Sequence, residues 1–471
     1  MKIHRSTLFV FQFLLASPAF AAEPAKPNIL WIIAEDLGAD MGVYGTKGVH
    51  TPHLNALTSE GALYTRAYTT ASICAPSRSS FMTGVYPHQV DAEGMRSLVR
   101  KPLPEGIKVF TEYLRDAGYS VGLCNNGKKD WGFAMPKKDP YDTDDWGLLS
   151  GKAPFFCQYQ FYDTHRVNKT RSDGTPMPFE DCPEHPVDRK LVELPPDMPD
   201  TPEAREEQAS YLENVNKLDM NVGKLIADVK AKGLYENTII VFMGDNGPAL
   251  FRGKGFLYER GIRMPLIVRI PKAIDPTFVT GVRNNEFVSA LDLAPTFVSL
   301  AGAKVPGHMQ GRIFLGPGVQ PAPEFLFAVR DRMGTVVDRV RGVFSHRFKY
   351  IRNDIRGLTP YGTSHHNVAT SKVGLKLFKE GKLSGVHAAF YEEKPPEELY
   401  DLENDPFELR NLASDASHGN TLGLLKTELD AWVKLTNDTG ELDDPKLVGQ
   451  IEENREELIR KRKERATKGK E

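Results

Sequence analysis

The run Asn28-Ile29-Leu30-Trp31-Ile32-Ile33-Ala34, followed at once by Glu35-Asp36, decides how the chain folds. A near-continuous apolar run without period-two alternation predicts a strand buried on both faces, as in a parallel sheet. Working outward, Thr51-Pro52 caps a helix that reaches residue 60 and stops at Gly61, and another helix starts at Pro76. Residues 109–117 form a helix before Gly118; residues 119–124 and 154–161 are apolar strands. A long helix over 202–232 leads into β-branched strands at 238–243 and 266–270. This order predicts an α/β fold with a large mixed, mostly parallel sheet sandwiched by helices.

After residue 323 the character changes. Arg-Val-Arg-Gly-Val-Phe at 339–344 and Phe-Lys-Tyr-Ile-Arg at 348–352 alternate apolar and basic residues, predicting antiparallel strands half exposed to water. Residues 398–406 and a helix at 422–435 complete a small C-terminal α+β subdomain with an antiparallel sheet. The expected organisation is a signal peptide over 1–21, a catalytic α/β domain over 22–322, a C-terminal subdomain over 323–440, and a charged helix or tail over 441–471. The charges of residues 451–465 read as a solvated face.

Composition sets the bounds. The chain has 471 residues, 40% hydrophobic and 26% charged, enough for a large core, and its net charge of −2 argues against a nucleic-acid scaffold. Recognition of an anion must then rest on a few placed cations. Lys2, His4 and Arg5 precede the apolar residues 8–15, and Ala19-Phe20-Ala21 offers a small-x-small cleavage site. That is a secretory signal, so a secreted or periplasmic location without a transmembrane segment is expected. Of four cysteines, Cys124 ends an apolar strand, while Cys157 and Cys182 bracket a polar insertion and could close it as a loop.

The remaining cysteine lies in Cys74-Ala75-Pro76-Ser77-Arg78. Pro76 pre-sets a first helical turn whose unpaired N–H groups face an incoming anion, and Arg78 adds a positive fork. A tetrahedral oxyanion with a reactive side chain at its mouth fits such a pocket. Glu35-Asp36 and Asp245-Asn246 each follow a strand, and parallel strands point their carboxyl ends to one edge. Three carboxylates and an amide oxygen are hard donors suited to Ca²⁺ or Mg²⁺.

These motifs resemble the type I sulfatases of the alkaline-phosphatase superfamily. The likeness runs from residue 27 to 412 and includes Pro27-Asn28-Ile29-Leu30, Thr51-Pro52-His53-Leu54, Thr83-Gly84, Gly244-Asp245-Asn246-Gly247 and the 258–265 segment. It implies an alkaline-phosphatase-like fold and a sulfuric ester hydrolase. Cys74 would be oxidised by a maturation enzyme to formylglycine (3-oxoalanine), whose hydrate attacks sulfur. Glu35, Asp36, Asp245 and Asn246 would bind one Ca²⁺; Arg78, Lys128 and Lys254 would hold the sulfate; His165 or Lys254 would protonate the departing alcohol.

Two positions depart from the family pattern. Glu35 stands where aspartate is usual. Asp130, in Gly127-Lys128-Lys129-Asp130, stands where many members carry a histidine, and would either act as base or orient Lys128. The expected substrates are sulfated glycans or small sulfate esters, with no nucleic acid. His365-His366 and the polar residues 352–371 could contact a sugar, and Asp331, Arg332, Asp338 and Arg341 either reach the cleft or pair with one another. A phosphodiester or phosphonate monoester hydrolase, and a non-catalytic binder of sulfated glycans, are the alternative readings.

Overall fold

The computed structural model describes residues 26–95, 99–334, 336–364, 368–441, 449–450 and 453. The signal sequence, His365-His366 and all but residue 453 of the 451–465 run lie outside them.

The expected strand is β1 (Asn28–Ala34), buried throughout. With β2 (Ala62–Tyr68), β3 (Ser120–Cys124), β4 (Phe155–Phe161), β7 (Thr238–Gly244), β8 (Arg263–Arg269) and β9 (Val282–Ser289), it forms a seven-stranded sheet in the order β3-β4-β1-β7-β8-β2-β9; the short β5 (Lys169–Thr170) and β6 (Pro176–Met177) pair separately. Only β8 runs against the others, antiparallel to both β7 and β2. The C-terminal ends of β3, β4, β1, β7 and β2 therefore open on one edge.

Alternate residues of β1 serve opposite faces. Ile29, Trp31 and Ile33 enter one core, with α2 (Cys74–Thr83), α3 (Phe110–Asp116) and α7 (Leu293–Leu300). Trp31 meets Phe81 at 5.0 Å and Phe297 at 5.2 Å between ring centroids. Leu30 and Ile32 enter the other, against Tyr211, Val215 and Leu218 of α5 (Pro202–Ala231). Thr201 caps α5 by accepting from Ala204 N at 3.1 Å, and Pro202 takes the first helical position.

A second sheet, β10 (Leu326–Arg330), β11 (Val340–Phe344), β12 (Phe348–Asn353) and β13 (Glu397–Asp401), is antiparallel in sequence order. Its strands are not half exposed, as the alternation predicted, because both faces are covered. Val343, Tyr350 and Leu399 pack with Leu425, Leu429 and Trp432 of the helix Gly419–Leu435, while Phe344, Ile351 and Tyr400 join Tyr68, Phe287 and Ile262 of the larger unit. The basic residues are buried in ion pairs: Arg341 with Asp331 and Asp438, Lys349 with Glu259 and Glu408. Asp338 pairs with Arg330 and Lys394. Asp331, Asp338 and Arg341 thus meet basic or acidic partners, and Arg332 is buried.

All four cysteines are free, so Cys157 and Cys182 do not close a loop. Cys157 lies in β4, opposite Gly122 of β3, within the sheet core rather than at an insertion's edge.

Candidate active site

Five strand exits assemble the site. From β1 come Glu35 and Asp36; Asp36 has φ +51°, a left-handed turn that aspartate tolerates better than most residues. Asp36 N donates to Asp245 Oδ1 at 2.9 Å and Asp245 N to Ala34 O at 3.1 Å, so the two acidic pairs are held side by side. After β7, Gly247 is required by close approach: a Cβ there would stand 1.8 Å from the carbonyl oxygen of Arg260. After β3, Asn125, Asn126 and Gly127 all have positive φ, and this turn delivers Lys128. The exit of β4 supplies His165.

Beyond β2, residues 69–73 lead to Cys74, the first residue of α2. All ten residues of α2 are buried. Ser77 Oγ donates to the Asp245 carbonyl at 2.6 Å, and Ser79 Oγ accepts from Gly132 N at 2.9 Å, tying the helix to the β7 and Lys128 loops. The helix N-terminus adds partial positive charge where Cys74 sits.

Every expected site residue lies in or at the rim of this cluster. Cys74 Sγ is 3.0 Å from Lys254 Nζ, 3.5 Å from Asp36 Oδ1 and 3.8 Å from Glu35 Oε2. Arg78 spans two carboxylates, donating from Nε to Asp245 Oδ2 at 3.0 Å and from Nη2 to Glu35. Lys128 bonds Glu35, and Lys254 bonds Asp36. His165 Nδ1 must carry a proton, because it meets the Arg166 carbonyl at 2.9 Å; Nε2 then faces Asp36 Oδ2 at 3.9 Å. The His165 side chain is 37% exposed, which places it at the mouth. Asp130 stands at the rim, 3.6 Å from Lys128 Nζ.

Electrostatics follow from burial and pairing. Burial pushes the carboxyl of Glu35 up, with Arg78 and Lys128 opposing. Burial also works against ionised Asp36, but Lys254 and His165 outweigh it and hold that carboxyl well below the usual range. Burial raises the Cys74 thiol well above its ordinary value despite Lys254. An unmodified Cys74 is therefore a protonated thiol, a poor nucleophile.

The residues fit a hard divalent cation. Glu35, Asp36 and Asp245 each offer an oxygen within 4.8 Å of one another. Asp36 Oδ2 and Asn246 Oδ1 are buried without a hydrogen-bond partner, an arrangement that a cation would satisfy. Four carboxylates, counting Asp130, also exceed the three cations Arg78, Lys128 and Lys254, and two more positive charges would leave the site attractive to an anion.

One residue escaped the sequence reading. Gln160, fully buried in β4, accepts from Arg78 Nη1 at 3.3 Å and donates to the Lys128 carbonyl at 3.1 Å. Gln160 shares its aromatic strand with the buried Gln158, and nothing in their spacing singles it out; only polarity in a buried run could have marked it.

The sulfatase family model matches residues 27–146 and 143–303. The chain belongs to the sulfatase family. It is a sulfuric ester hydrolase of the alkaline-phosphatase superfamily. An ulvan-active sulfatase of Formosa agariphila is 32% identical, over 91% of this chain and 78% of its own. Human N-sulphoglucosamine sulphohydrolase is 26% identical, over 88% of this chain and 91% of its own. Among solved structures, a 2-O GAG sulfatase superposes with TM-score 0.64 at 21% identity, covering 90% of this chain and 96% of that one. A phosphonate monoester hydrolase from Silicibacter pomeroyi shares the fold with TM-score 0.61 at 19% identity, covering 87% and 96%. Among the described residues, no helix is long and apolar enough to cross a membrane.

Proposed function

We propose that this sulfatase is exported by residues 1–21 and hydrolyses sulfate esters of sulfated glycans, with Cys74 converted to formylglycine and Glu35, Asp36, Asp245 and Asn246 holding Ca²⁺. Residues 22–322 carry the chemistry and 323–440 form a smaller unit against it. The observation that carries the reading is the convergence of Cys74 with Lys254, Arg78 and Lys128 around the carboxylates at the β1 and β7 exits.

The formyl group, hydrated, supplies an oxygen nucleophile that the buried thiol is not, and Ca²⁺ supplies charge that polarises the sulfate. The rest is done by side chains. Lys254, 3.0 Å from Cys74 Sγ, and Lys128, across the Glu35 carboxylate, place two ammonium groups beside the sulfate oxygens. Arg78, locked by Asp245 and Glu35, fixes the carboxylates more than it meets the substrate. His165 stands at the mouth with Nδ1–H oriented by the Arg166 carbonyl, and in its doubly protonated form its Nε2–H is placed to give the departing alcohol its proton. Asp130 holds Lys128, which favours the orienting role over that of base. The name of the Formosa relative supports a polysaccharide substrate such as ulvan.

The test combines mass analysis of the Cys74 peptide with turnover of paired 4-methylumbelliferyl sulfate and phosphate esters and a phosphonate monoester. The aldehyde with preferential sulfate release supports the reading. Preferential phosphonate cleavage would favour the alternative that shares this fold, and an unmodified Cys74 with binding but no turnover would indicate a sulfated-glycan binder.

A further inference from the structure

Beside the catalytic centre, on the β3–β4 side of the same sheet edge, lies a cleft of about 580 Å³, within the span of roughly 300–1,000 Å³ usual for small-ligand sites. One wall is aromatic: Trp146, at the start of the short helix Trp146–Ser150, Tyr159 within β4, and Tyr162 just past its end. Trp146 and Tyr159 are set edge to face, with centroids 6.1 Å apart and planes at 87°, so ring surface lines the cleft. The facing wall is polar. Asn221 of α5 donates to Asp163 Oδ1 at 2.9 Å, and Lys224 Nζ donates to Asn221 Oδ1 at 3.3 Å. Among the described residues, the hydroxyls of Tyr159 and Tyr162 have no hydrogen-bond partner.

Tyr162 is shared between the wall of the cleft and the surroundings of the catalytic centre. Its ring lies 5.5 Å from Lys128 Nζ and 6.0 Å, between centroids, from the His165 imidazole. A group resting on Tyr162 is thus a neighbour of whatever His165 protonates.

The geometry points to this cleft as the binding site for the sugar residue next to the sulfated one, so that the chain acts on oligosaccharides rather than isolated sulfated sugars. A pyranose presents an apolar C–H face, which aromatic rings match, and a rim of hydroxyls that both donate and accept, which Asn221, Asp163 and the free phenols match. Adjacency to the sulfate pocket across the Tyr162 ring argues for the same substrate chain and against a separate protein partner. The inference rests on the proposed glycan sulfatase reading and deepens it.

The test is calorimetric binding by the Cys74→Ala protein, which keeps ligand intact. The probes are sulfated tetrasaccharides from ulvan, carrageenan and glycosaminoglycan, each against its sulfated monosaccharide. At least one tetrasaccharide should bind about tenfold more tightly than its monosaccharide. Tyr159→Ala and Asn221→Ala should abolish that difference, while monosaccharide affinity, and 4-methylumbelliferyl sulfate turnover with Cys74 intact, stay within about twofold. Tyr159→Phe, which removes only the hydroxyl, covers the case of an unfolded Tyr159→Ala and should lose about threefold on the tetrasaccharide alone. Equal affinity for long and short ligands across the panel, or variants that weaken both alike, would overturn the subsite. Length-dependent binding without turnover of any sulfate would instead sink the hydrolase reading and leave the subsite standing.

Discussion

Asp130 Oδ2 stands 3.6 Å from Lys128 Nζ at the rim of the site, and the same ammonium bonds Glu35 on its inner side. Lys128 is thus held between two carboxylates, one exposed to the mouth and one not. Asp130→Asn should keep the shape and weaken that hold. The expected loss is about 1 kcal/mol, or roughly five- to tenfold in kcat, with an unchanged melting temperature. Steady-state kinetics on a chromogenic sulfate read the effect; an unchanged kcat would leave Asp130 a bystander.

Gln160→Met tests the missed residue. The change leaves the fully buried Arg78 Nη1 without its acceptor and frees the Lys128 carbonyl. A stability loss of about 1–3 kcal/mol is expected, with kcat reduced alongside. Chemical denaturation and kinetics on one sample measure both; Gln160→Glu should not rescue, because it adds a fifth carboxylate.

Cys74→Ala should abolish sulfate release and leave the fold intact, since a first helical position accepts alanine. The removed sulfur costs about 1–2 kcal/mol of stability. Residual turnover near the parent level would refute any mechanism built on Cys74.

Asp245→Ala takes away the acceptor of Arg78 Nε and of Asp36 N at once. Breaking a fully buried pair costs about 3–5 kcal/mol, so the melting temperature should drop by several degrees. The parent should gain stability from added Ca²⁺ and lose it to a chelator, by mass action. The variant should respond to neither; a full response to both would remove Asp245 from the ligand set.

His88 provides the pH test. Burial lowers its imidazole to about 4, where it packs against Tyr86 and against Trp432 of the helix Gly419–Leu435. The folded value lies below the unfolded one of about 6.5, so between pH 6.5 and 4 the unfolded chain binds more protons. Stability then falls as pH drops through that window, by on the order of 3 kcal/mol at its lower end. His88→Phe should flatten this dependence while staying neutral at pH 7.5. Urea midpoints across pH 4.5–7.5 decide it; parallel slopes for both proteins would acquit His88.

The strand ends were legible because their chemistry is local. An apolar run that stops at Glu35-Asp36, and another that stops at Asp245-Asn246, announce both the sheet and its working edge. The meeting of Lys254 with Cys74 was available only through the family likeness, since nothing in spacing brings Lys254 back to α2. The second sheet misled for a related reason. Arg341 and Lys349 look like solvent-facing residues until Asp438, 97 positions beyond Arg341, and Glu259, in the other unit, come into contact with them. Alternation records side-chain polarity, not whether a distant carboxylate will be waiting. The reversed β8 likewise left no trace, because a buried strand reads the same in either direction.

Cys74 is only 4% exposed and the whole of α2 is out of solvent, so the proposed conversion to formylglycine becomes a matter of timing. The approach to that helix is clamped from two directions, by Val329 N on the Thr70 carbonyl at 2.8 Å and Gly255 N on the Ser72 carbonyl at 2.9 Å. On the proposed conversion of Cys74, the enzyme that carries it out would have to reach the segment while it is still a loose peptide, before the second sheet docks. Molecules that closed before that conversion would stay inactive, and their share of a preparation would set its ceiling on specific activity.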